Sequence, residues 1–302
     1  MSQGKDSLAN TFAVATVLCL VCALVVSASA VVLKPMQKRN AQLDRKKNIL
    51  KVSGIPPEEI DETGIDELFS SRFEATIIDM DTGEEASEAC KAAMNSAGKV
   101  LDDVVAEYEQ AWASKSKKDE EWAKDNDDRI AICRKLDKKE DIGGIKYREK
   151  YSHVFTLKSA DGKIEKYVFP VRGMGLWSMM QGYMAVEPDF QTVAGLTFYD
   201  QKETPGLGGE VENENWKKKW KGKQIYDGDS VGLKVIKGDQ SGNDYGVDGL
   251  AGATITSNGV TNMTEYWLGP SGFGPYIAKQ KSGGSSPAVA PKTTEPESGG
   301  SH

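Results

Sequence analysis

Histidine is nearly absent: the 302 residues hold two, His153 and the terminal His302. A histidine-rich zinc site or a Ser-His-Asp triad therefore has almost nothing to be built from, and reactivity has to be borrowed from another group. Cysteine is almost as sparse. Of the four, Cys19 and Cys22 lie in an apolar run while Cys90 and Cys133 stand alone, which excludes a four-cysteine iron–sulfur cluster within the chain. In an oxidising compartment Cys90 and Cys133 can pair; two free buried thiols are the equal alternative. A basic surplus is missing too, and the formal net charge of −7 argues against nucleic acid as a partner. What is present, 39% hydrophobic and 27% charged residues, is the composition of a globular protein with length for one good-sized core.

Charge is also absent from Thr11 to Leu33, TFAVATVLCLVCALVVSASAVVL. As a helix rising about 1.5 Å per residue, this run reaches across a hydrocarbon core. Ala28-Ser29-Ala30 imitates a signal-peptide cleavage site, but Lys5 is the only basic side chain before the run and Asp6 offsets it. The expectation is a short segment 1–10 followed by an uncleaved transmembrane helix, 11–33. Lys34, Lys38, Arg39, Arg45, Lys46 and Lys47 follow, and the positive-inside rule puts that side in the cytoplasm. Residues 34–54 read as a juxtamembrane helix or linker, with Leu43, Ile49 and Leu50 sparse among charges and Gly54 and Pro56-Pro57 as the stop.

Residues 55–280 mix short strands with segregated helices, an α+β pattern. Strands are expected at Phe73–Ile78, Thr192–Asp200 and Val231–Lys237, and a hairpin pairs His153–Ser159 with Lys163–Phe169. Ala97, Val100, Leu101, Val104, Val105, Tyr108, Ala111 and Trp112 recur at helical spacing, ahead of a charge-dense, solvated stretch from Lys115 to Lys139. Val260, Met263, Tyr266 and Trp267 predict a second helix starting near Ser257. Residues 281–302 are too poor in apolar side chains to order themselves, and a disordered tail is expected.

Three glycine-bearing segments stand out: RGMG (Arg172–Gly175), ETPGLGGE (Glu203–Glu210) and DGLAGATITS (Asp248–Ser257). Glycine lets backbone approach a ligand closely. In the third segment Gly252 and Ala253 precede a helix N-terminus, whose unpaired N–H groups and partial positive charge suit a phosphate. The blander reading is that Thr256 or Ser257 caps the helix and that RGMG is a plain turn. Trp177, Met179, Met180, Tyr183 and Met184 either pack on a flat cofactor or fill a core.

In order, the apolar run, LDRKKNIL (Leu43–Leu50), RGMGLWSMMQGYMAVEPD (Arg172–Asp189), GLTFYDQKETPGLGGE (Gly195–Glu210) and DGLAGATITS resemble the family of singly anchored flavoprotein subunits of the sodium-translocating NADH:quinone reductases. The membrane-anchored domain of that family belongs to the FMN-binding family shared with the related flavoprotein of the Rnf electron-transport complexes. The resemblance implies FMN joined covalently through its phosphate to Thr254, the end of an Asp-Gly-x-(Ser/Thr)-Gly-Ala-Thr pattern from which Ala251 departs. It implies a flavin transferase that donates FMN from FAD, so that Thr254 is a modification acceptor; no catalytic residue and no metal site are expected.

The resemblance further implies a flavin surrounding made of Gly173, Met174, Gly175, Leu176 and Trp177, with Glu203, Thr204, Pro205, Gly206, Leu207 and Gly208. Asp248, Gly249, Gly252, Ala253, Thr256 and Ser257 complete it beside Thr254. The implied role is relay of electrons among the other membrane and soluble subunits of the complex, from NADH to ubiquinone, coupled to sodium export. The implied site is the bacterial inner membrane with the soluble domain periplasmic, against the charge count. An Rnf-type flavoprotein is the alternative, and an anchored binding module with Thr254 bare is the non-redox one. The resemblance carries no role onto Glu84–Glu140 or the tail.

Overall fold

The computed structural model describes residues 8–61, 64–86 and 133–283. The expected helix from Ala97 to Trp112, most of the charged stretch from Lys115, Cys90 with its expected pairing, and the tail beyond Gly283 lie outside the described residues.

The uncharged run is the first part of one continuous helix, α1 (Leu8–Val52), rather than a span with a separate piece after it. Pro35 lies inside it. A proline removes one i→i−4 hydrogen bond, but the strong helix formers Met36, Gln37, Lys38 and Arg39 carry the helix onward. From Phe12 to Met36 its large apolar side chains are exposed, and the helix is long and apolar enough to cross a membrane. So much bare apolar surface needs lipid or neighbouring helices to cover it. The last turns differ: Ile49 and Leu50 are buried, and Gly54 ends the helix at φ +83°.

After α2 (Ile65–Arg72) come β1 (Phe73–Asp79), β2 (Cys133–Lys135), β3 (Tyr147–Glu149), β4 (Tyr151–Lys158), β5 (Ile164–Met174), β6 (Met179–Val186) and β7 (Val193–Asp200). Five of these form an antiparallel sheet in the order β1-β4-β5-β6-β7, with the expected hairpin between β4 and β5. Alternation along the strands sorts side chains to two faces. Phe169, Val171, Met180 and Met184 enter one core, while Val168, Tyr183 and Ala185 enter another. The Met–Tyr stripe is therefore core on both faces, except for Trp177 at the hairpin tip, which is exposed.

Past β7 the chain makes α3 (Glu214–Lys218), the short strands β8 (Tyr226–Asp227), β9 (Ser230–Val231), β10 (Lys234–Ile236) and β11 (Gly246–Asp248), then α4 (Thr254–Leu268) and α5 (Gly274–Gly283). The single strand expected at Val231–Lys237 is two, because the N–H groups of Gly232 and Leu233 both turn to Ile225 O, at 2.8 and 3.2 Å. Buried Leu233 holds the break. Helix α5 runs three residues into the expected tail, anchored by buried Tyr276 and Ile277.

Helix α4 covers the first core through the predicted Val260, Met263, Tyr266 and Trp267. Two glycines let it lie close. A Cβ on Gly173 would come 2.6 Å from Met263 Cβ, and one on Gly259 2.3 Å from Met174 O. The second core belongs to the end of α1 and to α2, where Ile49, Leu50 and Ile65 meet Leu157 and Val168. Lys166 Nζ donates to Ser53 O at 2.7 Å, fastening the end of α1 to the sheet.

Candidate functional site

The end of β5, the loop after β7 and the start of α4 converge on one carboxylate. Met174 and Met179 close a tight hairpin in which Gly175 N donates to Ser178 O at 2.8 Å. The next three N–H groups turn inward to Glu203: Leu176 N to Oε2 at 3.2 Å, and Trp177 N and Ser178 N to Oε1 at 2.9 and 3.2 Å. Thr256 Oγ1, from the first turn of α4, donates to Oε2 at 2.7 Å. Glu203 is only 5% exposed. Burial works to raise its pKa, but the Thr256 hydroxyl and the three backbone donors outweigh it and hold the carboxyl below its ordinary value.

This arrangement changes what the glycines are for. A Cβ on Gly175 would lie 2.6 Å from Glu203 Oε1, and one on Gly208 2.6 Å from Thr256 Oγ1 and 2.8 Å from Glu203 Oε2. Their bareness makes room for the carboxylate, and that of Gly173, also expected at the flavin, makes room for α4. Gly206 is different: at φ +75° with nothing near a Cβ, it is required by the backbone alone. RGMG is not an open loop. Arg172 is half-buried in β5, donating to Glu149 at 2.6 and 3.1 Å and to Tyr147 O at 3.0 Å.

The helix at the third segment begins three residues earlier than the spacing predicted. Ala253 is the N-cap, with no side-chain capping bond, and Thr254 is the first helical residue. Neither Thr256 nor Ser257 caps. Both are buried: Thr256 serves Glu203, and Ser257 Oγ accepts from Leu250 N at 3.0 Å. Of the three crowded hydroxyl side chains, Thr254 is the exposed one. It stands ahead of first-turn N–H groups that have no partner within the helix, and Gly252, at φ +70°, turns the chain into it.

Around Thr254 lie exposed apolar side chains that a solvated surface has no use for. Trp177 is 67% and Ile255 57% exposed, and Met174, Leu176 and Leu207 are also open. The contacts join them: the hairpin tip is bonded to Glu203, Glu203 to Thr256, and a Cβ on Gly252 would be 3.0 Å from Leu207 Cδ2. Thr204 and Pro205 complete the exposed loop between. The donor set suits a phosphate-linked planar ring: a hydroxyl to carry the phosphate, a helix N-terminus to face its charge, and an indole with aliphatic neighbours to cover the ring. Ile255, an isoleucine left in water between hydroxyl residues, is the member that sequence reasoning missed.

Asp248 is placed elsewhere. Its carboxylate pairs with Lys219 and accepts from Gln240 N at 2.8 Å, and Lys219 in particular holds its pKa down. Trp216 Nε1 donates to Asp248 O at 2.8 Å, so this residue ties the loop to α3. Gly249 packs on β10, where a Cβ would be 3.3 Å from Ile236 O. Asp248 also lines a cavity of about 310 Å³ with Lys218, Lys219, Lys221 and Lys223, which neither Thr254 nor the Glu203 loop enters. Among the described residues no group of His, Cys, Asp and Glu could hold a metal ion.

The FMN-binding domain family matches residues 175–269, from the hairpin tip to the end of α4. Over nearly its whole length the chain is similar to NqrC proteins of the Na(+)-translocating NADH-quinone reductase. It is 37% identical to that of Pasteurella multocida (strain Pm70), covering 94% of this chain and 98% of the relative. It is 40% identical to that of Vibrio parahaemolyticus serotype O3:K6, covering 94% and 99%. Among solved structures, the crystal structure of Shewanella oneidensis NqrC superposes with a TM-score of 0.62 at 28% identity, over 82% of this chain and 99% of that one.

Proposed function

Because the chain belongs to the NqrC family, whose members are subunits of the Na(+)-translocating NADH-quinone reductase, we propose that it is a membrane-anchored flavoprotein carrying FMN as a phosphoester of Thr254. One observation carries the residue assignment: among the hydroxyls at the start of α4, Thr254 is open while Thr256 and Ser257 are buried and engaged. The isoalloxazine of FMN supplies the redox chemistry, and the chain supplies position and electrostatics. The first-turn N–H groups of α4 face the phosphate charge, worth about 0.3–1 kcal/mol at an exposed site. Trp177, Leu176, Leu207 and Ile255 exclude water from the ring.

In this reading the chain relays electrons between other redox centres of the complex, on the path from NADH to ubiquinone that drives sodium export. Attachment needs a separate flavin transferase, since no described side chain beside Thr254 is a histidine; His153 lies on β4. Helix α1 crosses the bacterial inner membrane once, with the soluble part on the periplasmic side. The basic residues after the span weigh less against that orientation than their number implies. Lys46 pairs with Asp66 at 2.6 Å, and Arg45 lies over the Tyr199 ring at 5.9 Å, so both belong to the docked end of α1.

Peptide mass mapping of Asp248–Lys279 from native membranes tests the proposal. The expected peptide is heavier by one FMN less one water, with the addition on Thr254 and absent in Thr254→Ala. A bare Thr254 in native material would overturn it.

A further inference from the structure

We propose that Glu203 is the positioning residue of this site: its buried carboxylate latches the tip of the β5–β6 hairpin to the first turn of α4, holding Trp177 beside Thr254. The inference rests on the reading of Thr254 as the FMN attachment point. It starts from the number of donors. Three backbone N–H groups and one hydroxyl, at 2.7 to 3.2 Å, converge on two oxygens from segments 25 to 27 residues before and 53 residues after Glu203. An ionised carboxylate is acceptor-only, with about four lone-pair sites, and can take all four. Glutamine cannot, because its amide nitrogen brings donors of its own. Two further bonds hold the latch in line: Gln201 Oε1 accepts from Glu203 N at 2.6 Å, and Lys202 N donates to Ser178 Oγ at 2.8 Å.

The arrangement does more than close a loop. The residue whose N–H makes the shortest of the three backbone bonds, Trp177, puts its indole into solvent, where it adds little to the core. A hairpin tip bound this tightly to display an exposed indole is holding it for something outside the fold. The latch also keeps a buried anion within one helical turn of Thr254, since Thr256 is two residues on. A fixed negative charge near a flavin disfavours added electron density, so the carboxylate lowers the cofactor's midpoint potential.

The test uses the full-length chain and Glu203→Gln, with two readouts. In a Thr254→Ala background, which carries no flavin, amide hydrogen exchange at Leu176, Trp177 and Ser178 is expected to quicken about tenfold or more in Glu203→Gln, as charge-assisted bonds are lost. With Thr254 intact and flavinylated, Glu203→Gln is expected to raise the midpoint potential and weaken the visible circular dichroism of the flavin. Thr256→Val removes the hydroxyl arm alone and keeps the charge: it is expected to quicken exchange at the hairpin tip by a smaller factor and to weaken the flavin dichroism without raising the potential, which decides the matter where Glu203→Gln does not fold. Unchanged exchange at the hairpin tip overturns the latch. Faster exchange with an unchanged potential and dichroism overturns its action on the cofactor. If wild-type Thr254 carries no flavin, the functional reading fails, and the exchange measurement judges the latch by itself.

Discussion

Gly206 and Gly208 are two residues apart in the same loop, and replacing each with alanine separates two physical roles of glycine. At Gly208 the new Cβ would lie 2.6 Å from Thr256 Oγ1, 2.8 Å from Glu203 Oε2 and 3.0 Å from Glu203 Cβ, so the carboxylate has to move. Losing a hydrogen bond to a charged acceptor costs about 1.5–3 kcal/mol, and overpacking costs about 1–3 kcal/mol where the surroundings resist. With partial relaxation the sum is about 3 kcal/mol, which for a body of this size lowers Tm by about 6–12 °C. At Gly206 a Cβ meets nothing, and only the left-handed φ of +75° opposes it. Alanine there costs about 1–2 kcal/mol, and asparagine, which tolerates that region, less. Thermal unfolding of the detergent-solubilised full-length chain, followed by circular dichroism, should rank Gly208→Ala below Gly206→Ala, and Gly206→Asn closest to wild type. A Gly208→Ala protein as stable as Gly206→Asn would refute the account of Gly208 as the space for the carboxylate.

Leu50→Ala should cost about 2–5 kcal/mol in denaturant unfolding, because Leu50 is 0% exposed in the core that fastens α1 to the sheet. Glu203 is held below its ordinary pKa, so its stabilisation is present above the unfolded value of about 4.3 and is lost as pH falls through the lower folded value. The stability gap between wild type and Glu203→Gln should therefore be flat from pH 7 down to about 5 and close on further acidification; a gap independent of pH would show that the carboxylate's charge is not what matters. Arg172→Met leaves Glu149 buried without its partner and should cost about 3–5 kcal/mol, whereas Arg172→Met with Glu149→Met should cost less, as a double-mutant unfolding cycle would read.

Where local pattern governs, the sequence was sufficient. The hairpin of β4 and β5, the strand β7 and the buried stripe of α4 follow from alternation and helical spacing. Boundaries set by distant contacts were not legible. The strand expected at Val231–Lys237 breaks because Ile225 O takes two N–H groups, and α1 runs through Pro35 without the expected join. The residues expected around the flavin divide in the same way. Trp177, Leu176, Leu207 and Thr254 are exposed in one neighbourhood, whereas Gly173, Gly175 and Gly208 serve internal packing and Asp248 pairs with Lys219. Glycine reads identically in a sequence whether its missing Cβ admits a ligand, a helix or a carboxylate.

By itself the sequence determined the uncharged span, the faces of the strands and the order of the glycine segments, since these depend on residues a few positions apart and on period alone. Which hydroxyl stands open was decided by the tertiary structure. Thr254, Thr256 and Ser257 are near neighbours with the same chemistry, and what distinguishes them is a carboxylate from 53 residues earlier and a backbone amide from the preceding turn. Hydrogen bonds to groups outside the helix consume two of the three, and the one they leave facing outward is Thr254.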